Sequence, residues 1–168
     1  MKRTVGLLAL AAVFALAGAS LGCGPGDAKA PNPTRMLDER RAVEVIRRAI
    51  VAEGARPAGT RDEKLASGKT LRIDVGVDGH GYGVAYVTTD EAAQLGDAIP
   101  PRNQKDEKLK LARVGKDGET RIVLLYQANY LYDDLAGEEH EQTTITCERS
   151  LARDVQDFIS HAKGQHFP

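Results

Sequence analysis

The chain has 168 residues but no tryptophan, and only five tyrosines and three phenylalanines. Its lysines and arginines are scattered rather than gathered between aromatic rings. A surface that stacks bases and neutralises phosphates needs that combination, so nucleic acid is excluded as an expected partner. The formal net charge is only −1. Setting aside Lys2 and Arg3 leaves 21 basic against 24 acidic residues, a balance of −3 that is too small and too mixed to select a charged partner. There is no G-x-S-x-G, no H-E-x-x-H, no phosphate-binding glycine loop and no paired Cys-x-x-Cys. Serine is scarce: beyond the leader, Ser67 falls in a loop, Ser150 reads as a helix cap and Ser160 lies in a helix. None stands beside a marked histidine, although triads also assemble from distant residues.

What is present first is a leader. Lys2 and Arg3 precede Val5–Ala19, a 15-residue run of Ala, Val, Leu, Phe and Gly. That length suits the apolar region of a signal peptide and falls short of the roughly 20 residues that span a bilayer. Ala17-Gly18-Ala19 offers one cleavage site. Ser20-Leu21-Gly22-Cys23 offers another and resembles the lipobox of bacterial lipoproteins, with Ser20 and Leu21 in the reverse of the usual order. The resemblance implies that Cys23 receives diacylglycerol and anchors the chain to a membrane. Gly24 follows where enteric-type lipoproteins retained at the inner membrane carry aspartate, so it also implies the outer membrane. "GPGDAKAPNP" after Cys23 is a solvated, extended tether by composition. The expected organisation is a signal peptide over 1–22, a linker over 23–35 and one domain over 36–168. With Cys23 acylated, Cys147 has no partner for a disulfide and reads as a small core hydrophobe.

The domain reads as α+β. Val43, Ile46 and Ile50 form an apolar stripe that predicts a helix over 36–53, with Gly54 as its stop. "ARPAGTRDEKLASGK" reads as a polar connection. Leu71, Ile73, Val75 and Val77 alternate with polar residues or glycine, and Asp78-Gly79-His80-Gly81 supplies a turn to a return strand bearing Tyr82, Val84 and Tyr86 on one face. Thr88 and Glu91 form a capping box that predicts a short helix over 89–95. "KLKLARV" and "TRIVLLYQANYLY" flank a second glycine-rich turn, "TTITC" reads as a fifth strand, and Ser150 as the cap of a last helix striped by Leu151, Val155, Phe158, Ile159 and Ala162. The order α-β-β-α-β-β-β-α predicts an antiparallel sheet of four to five strands covered by the terminal helices.

Three groups of residues are candidate sites. Asp74, Asp78 and His80 bring two carboxylates and an imidazole within seven residues, the donor types of a divalent-metal site, although Asp-Gly at a hairpin tip is also plain turn chemistry. Asp133, Asp134, Glu138, Glu139 and Glu141 surround His140 and could hold a hard cation, but they lack the alternating register of a calcium loop. Tyr82 and Tyr86 on one strand, with Tyr126 and Tyr130 on another, could present rings to a glycan or peptide, or simply fill the core. The expected function is that of an exported, lipid-anchored envelope protein serving as a non-catalytic binding or assembly module with no cofactor. Its expected partners are the membrane and an envelope protein or glycan. The alternative is a metal-assisted hydrolase using the Asp74/His80 or Asp133–Glu141 region.

Overall fold

Two amphipathic helices and a central four-stranded sheet position everything that follows. The computed structural model describes residues 35–104, 107–115, 118–133 and 142–168. Helix α1 (Glu39–Ala52) starts where the Asp38 carboxylate accepts the Arg41 amide at 3.3 Å, and buries Ala42, Val45, Ile46, Ala49 and Ile50. Helix α2 (Thr89–Leu95) carries the reciprocal Thr88–Glu91 capping box. Helix α3 (Thr144–Gly164) buries Cys147, Leu151, Val155, Phe158, Ile159 and Ala162 along one stripe. Among the described residues, no helix is long and apolar enough to cross a membrane.

The strands are β1 (Arg35–Met36), β2 (Arg61–Lys64), β3 (Thr70–Ile73), β4 (Val75–Gly76), β5 (Gly83–Val87), β6 (Lys110–Val114), β7 (Thr120–Tyr126) and β8 (Leu131–Tyr132). The main sheet has the order β4-β5-β7-β6; β2 pairs with β3, and β1 with β8. The fold class is α+β, as the sequence predicts, but the main sheet is mixed. β5 and β7 run parallel, Gly83 opposite Ile122 through Val87 opposite Tyr126, while the outer pairs are antiparallel. The two hairpins are therefore joined through their inner strands, a pairing that neither local turn specifies.

Alternation along the two central strands separates two cores. Val84 and Tyr86 of β5, with Val123 and Leu125 of β7, face the cluster shared with α1 and α3. Ala85, Val87, Ile122, Leu124 and Tyr126 face the opposite cluster, closed by Leu65, Leu71 and Ile73 of the β2–β3 region and by Leu95 and Ile99 around α2. Both clusters are built from residues between Leu37 and Ala162, so the chain from Asp27 onward carries its own core.

Three expectations are corrected. The polar connection contains β2, a strand of four charged residues whose partner is β3. "TTITC" is helical: Thr143, not Ser150, is the cap, its hydroxyl accepting the Thr146 amide. Cys147 falls four residues before Leu151, so it extends the buried stripe and outweighs the β-branched composition around it. Finally, the "YQANYLY" segment does not continue β7, because a 3₁₀ turn over Gln127–Asn129 breaks the alternation.

Candidate functional site

That turn decides the fate of the tyrosine platform. Tyr82, Tyr86 and Tyr130 belong to the core facing α1 and α3, whereas Tyr126 lies in the opposite core. All four are buried. Tyr86 donates to the Leu37 carbonyl at 2.8 Å and Tyr130 to Asp154 Oδ2 at 2.7 Å. Tyr82 stacks on His80 with centroids 4.6 Å apart and meets Phe158 edge-on. Tyr126 donates to the Pro100 carbonyl, and burial pushes its phenol up to about 12, so it remains a donor. The four rings form no exposed row, and their apolar faces are spent on packing.

Nor do Asp74, Asp78 and His80 converge. Asp74 is the pivot between β3, which pairs with β2, and β4, which enters the main sheet. Its amide donates to Val84 O at 3.0 Å, and its Oδ2 accepts the Tyr86 amide at 2.7 Å. Its Oδ1 accepts Arg72 Nε at 3.0 Å. The carboxylate thus stands in for a missing strand partner of β5. Burial raises its pKa, against the opposing pull of the Tyr86 amide and the Arg72 guanidinium. Asp78 is exposed and lies 3.5 Å from Arg56, while His80 is held against Tyr82. Arg72 also contacts Glu39 and Glu91, so this cluster is an internally satisfied ion network. Among the described residues, no group of three potential metal ligands comes together. Asp133 is buried at the end of β8. Asp134, Glu138, Glu139, His140 and Glu141 lie outside the described residues, as does Cys23.

Among the described residues the structure also forms a crevice that the sequence does not announce. At the carboxyl ends of β5 and β7 the chain leaves in opposite directions. After Val87 it passes through α2 onto the face of Leu95 and Ile99, whereas after Tyr126 it crosses to the face of Tyr130. Divergence of neighbouring parallel strands leaves a gap between their exits, the usual place for a ligand in such sheets. Here the gap is a cavity of about 270 Å³. Val87 and Tyr126 line it from the strands, Ala92 from α2 and Gly96 from the turn after it, with Ile99, Pro100 and Pro101 opposite. Thr88, Thr89, Ala128 and Arg102 complete the lining. Arg102 is exposed, and its Nη1 donates to the Ala128 carbonyl at 3.2 Å, which holds the guanidinium at the mouth. The Pro100-Pro101 pair was a signal in the sequence, since it withholds two amides from any ladder and keeps this wall open. What hid the site was the parallel pairing that brings Tyr126 beside Val87.

Compared with known proteins, the chain matches no family model, no curated protein and no solved structure.

Proposed function

We propose that this chain is an exported, lipid-anchored envelope protein whose α+β domain is a non-catalytic binding module, with its ligand in the crevice between the exits of β5 and β7. Cys23 carries the anchor, residues 23–35 form the tether, and the membrane is the outer one. The leader, the lipobox-like Ser20-Leu21-Gly22-Cys23 and the Gly/Pro-rich segment after it support the address. The single observation that supports binding is the apolar crevice with one guanidinium at its mouth. Acyl chains anchor through burial of about 0.8 kcal/mol per CH₂, so diacylglycerol with a further amide-linked chain holds the protein stably.

The address is tested by fatty-acid labelling and membrane partitioning of wild type and Cys23→Ala. Wild type takes up label and sediments with membranes, and the variant does neither. A variant that still partitions, beside a wild type without label, defeats the anchor. Binding is tested by in-cell photocrosslinking from a probe residue at position 98, beside the crevice. Thr89→Trp, which fills the mouth from an exposed position, removes the crosslinks if the crevice is the site. Titration with Ca²⁺, Mn²⁺ and Zn²⁺ gives no heat and no change in melting temperature under this reading.

A further inference from the structure

We infer that the crevice takes a small monocarboxylic acid, its apolar body between Val87, Ile99 and Pro100 and its carboxylate on Arg102. This rests on the binding reading and adds the chemical class of the ligand.

Shape comes first. At about 270 Å³ the cavity falls just below the range of roughly 300–1,000 Å³ found for sites of drug-sized molecules, so the occupant is small. The walls come next. Val87, Ile99 and Tyr126 are buried side chains of the second core that form the inner surface, and Pro100 and Pro101 lack amide donors altogether. The hydroxyls nearby have partners elsewhere: Thr88 bonds Glu91 in the capping box, Tyr126 the Pro100 carbonyl, and Thr89, at the exposed mouth, Met36 Sδ at 3.6 Å. The interior therefore rewards hydrocarbon and offers little to a polyol or a sugar.

Charge decides the head group. Arg102 is the single ionic side chain lining the crevice. Among the described residues it has no carboxylate within ion-pair distance, in contrast to Arg72 with three and to Arg41 and Arg48, which share Glu148. One of its five N–H donors goes to the Ala128 carbonyl, which fixes the fork while leaving the others for a planar, bidentate acceptor. A carboxylate matches that fork, and an ammonium is repelled by it.

The test uses the chain from Asp27 onward and three probes of equal length: hexanoate, hexanol and hexylammonium. Amide shifts of Ala92, Gly96 and Ala128 are followed during each titration. Hexanoate moves these amides saturably, hexanol binds several-fold more weakly, and hexylammonium weakest of all. Added salt weakens hexanoate alone, because the guanidinium is exposed. Arg102→Ala lowers hexanoate affinity about three- to ten-fold and abolishes its advantage over hexanol. Arg102→Lys restores part of the advantage. Hexylammonium binding as tightly as hexanoate, hexanoate moving none of these amides, or an unchanged preference in Arg102→Ala overturns the assignment. If no probe binds while Thr89→Trp still removes the in-cell crosslinks, the acid falls and the binding module stands. If Thr89→Trp leaves those crosslinks intact, the crevice falls as the module's site.

Discussion

Replacing Asp74 with alanine removes the side chain that completes β5 where β3 turns away. The Tyr86 amide then lies buried with no acceptor, since its partner at 2.7 Å was Asp74 Oδ2. An orphaned buried donor costs about 1–3 kcal/mol. Arg72 loses its most buried partner but keeps Glu39 and Glu91, and its own side chain is 39% exposed, so this loss adds at most about 1 kcal/mol. The expected penalty is about 1–4 kcal/mol, a sizeable share of the roughly 5–15 kcal/mol that holds a domain together. With a urea slope of about 2 kcal/mol/M, the midpoint falls by about 0.5–2 M at unchanged slope. Asp74→Asn keeps an oxygen for the Tyr86 amide and should cost less than half as much. The pH dependence follows from the direction of the shift. Burial raises the folded pKa above the unfolded value of about 3.9, so the folded state binds the proton more tightly. This group's contribution is thus full below about pH 3.9 and declines as pH rises through the folded value. The stability difference between wild type and Asp74→Asn should shrink across that window. Urea titrations at pH 3.5 to 7 measure it. An alanine penalty below about 0.5 kcal/mol, or a difference that grows with pH, refutes the account of the carboxylate as a strand substitute.

Two further outcomes follow from packing. In a Cys23→Ala background, Cys147 is the remaining thiol; burial pushes it up to about 11, so it should resist a disulfide reagent at pH 8 until the domain is unfolded in urea. Rapid labelling of the native protein would place that face of α3 in solvent. Gly83→Ala should cost about 1–3 kcal/mol, since a Cβ there would sit 2.9 Å from both the Val75 carbonyl and Ile73 Cγ2. Gly59→Ala, which meets nothing within 4 Å, should change the thermal midpoint little.

The helices were legible because their signals are local. Thr88 and Glu91 close a capping box inside one turn, and α2 occupies the predicted 89–95. The stripe of α3 from Leu151 to Ala162 repeats every turn and survives any tertiary context. β2 carried no such signal, because Arg61-Asp62-Glu63-Lys64 has no apolar alternation and is a strand only through its ladder to β3. "TTITC" misled because β-branched residues favour strands on propensity, whereas Cys147 was already in phase with Leu151. The tyrosines were legible as buried-or-platform residues by parity, until the turn after Tyr126 moved Tyr130 to the other face. The crevice was the least visible feature, because Val87, Pro100 and Ala128 become neighbours only through the parallel β5–β7 pair.

That pair also sets how much of the chain the fold requires. The centre of the sheet joins Gly83 to Ile122, and β7, the last strand of that sheet in chain order, carries a continuous apolar stretch, Ile122 to Tyr126. A truncation ending before Thr120 would hold α1, α2 and the first hairpin yet lack both β7, against which both cores close, and α3, so it should behave as a collapsed, dye-binding chain rather than as a smaller domain. Native architecture is therefore expected only once residues 120–126 lie between their two neighbours.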